Sequence, residues 1–203
     1  MASLLVIDNY DSFTFNLVQM FRMYDLSVKV FRSDKLSIRQ AEILDPDYVL
    51  VSPGPKDPAH AGISIPIIKT FLGKKPVLGV CLGMQCINEA FGGVTQRAPL
   101  PVHGKTNAVT HDGGGLFKGI PSPFKVARYH SLMIVPPEHQ DEFRINAVCD
   151  GDVIMGLSHK SFPLFGVQFH PESFLTEFGF KIIENFLDHG PLAGSYQPVQ
   201  GWR

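Results

Sequence analysis

Up to Gly93, short apolar runs alternate with segments whose apolar residues fall at helical spacing. Leu4 to Ile7, Val28 to Phe31, Tyr48 to Ser52 and Val77 to Val80 predict strands. Their runs are near-continuous, as in a parallel sheet covered on both faces. Helices are predicted from about Phe13 to Tyr24, weakly from Asp34 to Leu44, from Ile63 to Leu72, and from Leu82 to the C-cap pair Gly92-Gly93. Asp11 or Ser12 is placed to cap the first of these. Strand and helix alternate with short connections, which predicts a parallel sheet with helices on both faces.

From Val94 the pattern changes. Thr106 to Thr110, Phe124 to Ala127, Arg144 to Cys149 and Val153 to Ser158 are short alternating runs broken by Gly and Pro. They predict antiparallel strands added to the same sheet. Asp112-Gly113-Gly114-Gly115 has neither dinucleotide nor phosphate-loop spacing and reads as a hairpin turn. Phe178, Ile182 and Phe186, with Ile183 and Leu187, form the stripe of a last helix that Gly190-Pro191 ends. The expected fold is α/β: an open, mostly parallel, flavodoxin-like central sheet flanked by helices, with added antiparallel strands. One domain is expected over residues 1–192. The polar tail 193–203, which carries Trp202, is read as either disordered or a docking segment.

Composition narrows the class. With 203 residues, 44% of them hydrophobic, the chain can bury one sizeable core. A net charge of −1 gives no electrostatic case for nucleic acid or an anionic membrane. Three cysteines do not make a disulfide framework and suit a reducing compartment. Met1 to Asp8 has no basic leader and reads as a strand rather than a signal peptide. No apolar run reaches membrane-spanning length, so a cytoplasmic domain is expected.

Three stretches carry candidate chemistry. In Gly79-Val80-Cys81-Leu82-Gly83 a buried strand turns sharply into a helix, the thiol counterpart of a nucleophile elbow. The Leu82 amide opens the helix and points where an oxyanion would form. Gln85 lies one turn further on the same face. A lone cysteine more commonly packs than reacts, and the elbow alone leaves both readings open. Pro53-Gly54-Pro55 is either loop punctuation or a backbone amide at Gly54 held beyond a strand's carboxyl end. In Phe169-His170-Pro171-Glu172 a strand is expected to end on His170. Residues two apart in an extended chain share a side, so Glu172 can orient the imidazole. His-x-Glu by itself is usually a surface ion pair. Facing Cys81 across one sheet edge, it completes a thiol, base and orienter.

These stretches, in this order, resemble the three signatures of class I glutamine amidotransferases over roughly residues 3 to 190. Asp8 to Thr14, His103-Gly104-Lys105, Gly115-Leu116-Phe117 and Arg128-Tyr129-His130-Ser131-Leu132 resemble the glutaminase components of anthranilate synthase and of aminodeoxychorismate synthase alike. The resemblance implies that Cys81 attacks glutamine, His170 shuttles protons and Glu172 orients it. It implies an oxyanion hole from the amides of Gly54 and Leu82. Gln85 and the backbone of Ser131 and Leu132 would hold the substrate, with Gly54-Pro55-Lys56 covering it. A chorismate-using synthase subunit is the implied partner, meeting the edge that carries the Asp8–Ser12 loop. No metal or cofactor is expected in this chain, with magnesium only in the partner.

Two residues depart from the common pattern. Met84 stands where histidine is common. Lys56 replaces a frequent glycine and is expected to rule out a conformation that only glycine tolerates. Cys86 and Cys149 read as packed. His111-Asp112 and His130 lack metal-ligand spacing and read as solvated or locally bonded, although His130 could line a route to the partner. A peptidase or γ-glutamyl hydrolase, another amidotransferase and a non-catalytic binding subunit are the alternatives. The free-amino-acid pocket, the Asp8–Thr14 and Arg128–Leu132 stretches, and the intact Cys81, His170 and Glu172 argue against them in turn.

Overall fold

The computed structural model describes residues 1–138, 141–149 and 152–197. The elements are β1 (Ala2–Asp8), α1 (Thr14–Phe21), β2 (Leu26–Arg32), α2 (Ile38–Leu44), β3 (Tyr48–Val51), α3 (Ser64–Phe71), β4 (Val77–Val80) and α4 (Leu82–Ala90). They continue with β5 (Val94–His111), β6 (Phe124–Val135), β7 (Phe143–Cys149), β8 (Val153–His159), β9 (Leu164–Val167) and α5 (Gly179–Leu187). Short 3₁₀ turns span Pro58–His60 and Gly115–Phe117.

Nine strands form one sheet in the order β2-β1-β3-β4-β9-β8-β7-β5-β6. From β2 to β9 every pairing is parallel; from β9 to β6 every pairing is antiparallel. The α/β expectation therefore holds, with an antiparallel extension more extensive than the sequence indicated. The unbroken apolar runs have a physical cause. Leu4, Val6, Tyr48, Leu50, Leu78 and Val80 face one core, with α1 and α5. Leu5, Ile7, Val49, Val51 and Val77 face the other, with α3 and α4. Each central strand buries both faces, so no position is free to be polar.

Register sets up the site. Ile7 pairs with Val51, Val51 with Gly79 and Gly79 with Gly166. Two residues beyond that row lie Asn9, Pro53, Cys81 and Gln168. Ligands of open α/β sheets bind at this carboxyl edge.

Several boundaries differ from expectation for local reasons. Helix α1 has Phe13 rather than Asp11 or Ser12 at its N-cap, with no side-chain cap. Asp11 acts one step earlier: its carboxylate accepts the Phe13 amide at 2.8 Å. Helix α2 begins at Ile38 because Ser37 and Gln40 form a reciprocal capping box. Strand β5 runs through Pro99 and Pro101, which the register shift between Arg97 and Val102 accommodates. Strand β6 continues past Ala127 to Val135, so Arg128 to Leu132 lie on it. Asp112 to Gly115 is not a tight hairpin turn: the connection occupies residues 112–123 and includes a 3₁₀ turn. Strand β9 stops at Val167, three residues before His170.

The start of the tail packs rather than hanging loose. The Tyr196 hydroxyl donates to the Glu184 carbonyl at 2.8 Å, and its ring meets Tyr24 edge-on at 5.4 Å. Residues 198–203, including Trp202, lie outside the described residues. Among the described residues no helix is long and apolar enough to cross a membrane.

Candidate active site

Cys81 sits at φ 53°, ψ −103°, a backbone conformation that costs on the order of 1–3 kcal/mol and persists only where the surroundings enforce it. Here they do. Its amide donates to the Val167 carbonyl at 2.8 Å, and its carbonyl accepts the Gln85 amide at 3.1 Å as the first bond of α4. A Cβ at Gly79 would lie 2.5 Å from the Gly83 carbonyl group, and one at Gly83 would collide with the Val51 carbonyl oxygen. The small flanking residues let helix and strand approach closely enough to hold the elbow. The thiol is largely enclosed, at 6% exposure.

His170 lies beyond β9, held by its amide to the Ala127 carbonyl at 3.3 Å and by Thr176 Oγ1, which donates to its carbonyl at 2.6 Å. Residues 171 and 172 are in a turn, so it is the turn, not extended alternation, that brings Glu172 back. Its Oε1 lies 2.6 Å from His170 Nδ1, with side-chain exposures of 0% and 3%. Phe13 and Tyr129 meet the imidazole edge-on at 5.5 and 5.2 Å and fix its plane. Nε2 is buried without a hydrogen-bond partner. Burial disfavours the imidazolium. The Glu172 carboxylate and the neighbouring Cys81 sulfur outweigh it, and the His170 pKa stands well above the ordinary histidine value.

The loop after β3 closes against the elbow. A Cβ at Gly54 would lie 2.6 Å from both Asn9 Cβ and Leu82 Cδ2, so glycine brings this amide beside that of Leu82. The loop is tied down by Asn9, whose amide donates to Ser52 Oγ and whose Nδ2 donates to the Ser52 carbonyl. Lys56 overturns an expectation. It adopts φ 65°, the left-handed region, rather than excluding it. For a non-glycine residue that region carries a cost of about 1–2 kcal/mol but is not closed.

Strand β6 brings Ser131 and Leu132 alongside. It is anchored on one side by Tyr129 against His170 and on the other by Asn88 of α4, which donates to the Val135 carbonyl at 3.2 Å. Ser131 Oγ is 2.8 Å from His103 Nε2. His130 is buried, not solvated, and sits in a directed chain. Arg128 Nε donates to its Nε2 at 2.9 Å, so Nδ1 carries the proton and donates to the Leu132 carbonyl at 2.8 Å. Burial lowers its pKa to about 4, which keeps it neutral.

A strained thiol at a strand–helix elbow, a buried imidazole and a buried carboxylate suit acyl transfer through a covalent thioester. The family model for glutamine amidotransferase class-I matches residues 5–189. The chain belongs to this family. Among its relatives, anthranilate synthase component 2 of Pseudomonas aeruginosa is 49% identical over 91% of this chain and 94% of that one. Aminodeoxychorismate synthase component 2 of Escherichia coli is 46% identical over 91% and 98%. A crystal structure from Thermoplasma acidophilum, described as a putative GMP synthase protein, superposes with a TM-score of 0.83 at 27% identity, covering 97% of this chain and 96% of that one.

Within this class I amidotransferase the remaining candidates fall away from the site. Cys86 is fully buried in α4, and burial pushes its thiol pKa far up. Cys149 lies in the β7 core. His111 accepts the Gly113 amide on Nδ1, and Asp112 pairs with Arg144. Among the described residues no three side chains cluster to hold a metal. Met84, in the position where histidine is common, packs on Gly166, where a Cβ would come within 2.8 Å of its Cγ.

Gln168 escaped the sequence reading. It is fully buried; its Nε2 donates to Cys81 Sγ at 3.4 Å and its Oε1 accepts from Gln85 Nε2 at 3.2 Å. One polar residue inside the apolar run from Phe165 to Phe169 was the available signal, because buried amides need partners.

Proposed function

We propose that this chain hydrolyses L-glutamine at Cys81 and supplies the ammonia to a chorismate-using synthase subunit. The carrying observation is His170: Nδ1 is held by Glu172, while Nε2 is buried and unpaired in the electrostatic reach of the Cys81 sulfur. In this reading the Cys81 thiolate attacks the carboxamide carbon of glutamine. The amides of Gly54 and Leu82 hold the resulting oxyanion. Imidazolium Nε2–H protonates the departing nitrogen, and ammonia leaves a γ-glutamyl thioester. Neutral His170 then takes a proton from water, whose oxygen attacks the thioester. Glutamate departs and the thiolate returns. Gln85 and the Ser131–Leu132 backbone hold the substrate, and Pro55 and Lys56 cover it.

The amidotransferase family accounts for residues 5–189, so the acceptor for ammonia is placed on a partner. The carboxyl edge of the parallel strands, including the Asp8–Ser12 loop, is the proposed docking face. No resident cofactor enters these steps; magnesium would belong to the partner. The favoured product is anthranilate. A second reading, aminodeoxychorismate, rests on relatives of nearly equal identity under the two names. The test is glutamate release with and without each synthase partner, beside Cys81→Ser. Strong stimulation by one of them, abolished by the substitution, supports the reading and names the product. Unchanged hydrolysis and sizing behaviour on mixing removes the partnership, and an active Cys81→Ser removes the mechanism.

A further inference from the structure

Gln168 is a buried polar side chain that the proposed chemistry does not use. It lies in the register row of Cys81 and Asn9, one strand across from the nucleophile. Its amide has two ends with different duties. The NH₂ end reaches the sulfur that must become a thiolate. The carbonyl end holds Gln85, whose backbone amide bonds back to the Cys81 carbonyl. The Arg-free, carboxylate-free contact matters: a neutral amide can favour an anion on sulfur without itself being an ion that must be desolvated. The strand end is pinned as well, because the Gln168 amide donates to the Met155 carbonyl at 3.0 Å.

We infer that Gln168 is a positioning residue that fixes the Cys81 sulfur and Gln85 together, so that the nucleophile and the substrate pocket share one support. This inference rests on the reading of Cys81 as nucleophile. The two ends of the amide can be separated. Gln168→Glu keeps an acceptor for Gln85 but sets a carboxylate oxygen beside the sulfur. Gln168→Met removes both hydrogen bonds at similar volume.

The direct readout is the pH dependence of Cys81 alkylation by iodoacetamide, mapped by peptide mass spectrometry, which needs neither glutamine turnover nor a partner. A hydrogen bond to a charged group is worth enough to move the alkylation midpoint upward by about one pH unit or more in both variants. In glutamate release, Gln168→Met is expected to lose about tenfold or more in kcat and to raise KM several-fold. Gln168→Glu is expected to lose kcat with KM held within about threefold. If Gln168→Glu does not fold, the alkylation profile of Gln168→Met decides alone. Unshifted profiles in the folded variants overturn the inference. Activity persisting in Cys81→Ser would instead overturn the nucleophile assignment, while a shifted profile would still stand for Gln168.

Discussion

His170 Nδ1 and Glu172 Oε1 meet at 2.6 Å with both side chains shut away from solvent. Glu172→Gln keeps the shape but removes the charge that holds the imidazole in one tautomer and supports its protonated form. Glutamine hydrolysis should fall about a hundredfold or more, mainly in kcat. The raised His170 pKa also makes stability depend on pH. Its contribution is complete below the unfolded histidine value of about 6.5 and disappears as pH rises through the folded value. Denaturant midpoints of wild type should therefore decline into the alkaline range more steeply than those of Glu172→Gln.

Lys56 holds a left-handed backbone at φ 65°. Lys56→Gly removes a cost of about 1–2 kcal/mol and adds about 0.5–1 kcal/mol of unfolded-state entropy. The net is stabilisation by about 0.5–1 kcal/mol, a rise of roughly 1–4 °C in the thermal midpoint. Calorimetry checks it; a lower midpoint would show that the lysine side chain is itself held.

At Gly54 an added methyl meets Asn9 and Leu82 carbons at 2.6 Å. Gly54→Ala should destabilise by about 1–3 kcal/mol. Because the displaced neighbour is the elbow's own Leu82, glutaminase kcat should drop about ten- to a hundredfold while the protein still folds. Circular dichroism and glutamate release on one preparation separate the two effects.

His130 stays neutral down to about pH 4 in the folded chain. Unfolded, it takes a proton near pH 6.5. Its contribution is full above that value and is lost as pH falls towards 4, on the order of 3 kcal/mol in total. His130→Gln, which can still accept from Arg128 and donate to Leu132, should show less acid destabilisation over that window in urea titrations.

What the sequence discloses and what it hides divide along physical lines. Strand β4 matches its expected span, Val77–Val80, because every position in it is buried and a single polar residue would break it. The elbow glycines are legible for the same reason: contacts leave no room for a side chain. Strand β5 is long and mostly exposed, so burial imposes no alternation along it, and its prolines imitate a loop. The turn that returns Glu172 to His170 and the partners of Gln168 depend on residues from β6, β8 and α4. No local pattern encodes such meetings. Lys56 misled because a glycine-like conformation costs a lysine little enough for a folded domain to bear.

Strand β9 lies between β4 and β8, so the chain leaves the catalytic edge after α4, builds the whole antiparallel extension, and comes back to fill a slot beside β4. The nucleophile and its base are delivered by opposite ends of that excursion. Until Leu164–Val167 docks, Cys81 lacks the Val167 carbonyl that pins its amide, Gln168, and an imidazole. A chain still emerging from the ribosome therefore carries an ordinary thiol at this position. Glutamine is spared until synthesis has passed the last strand, and the ability to release ammonia appears together with the finished fold.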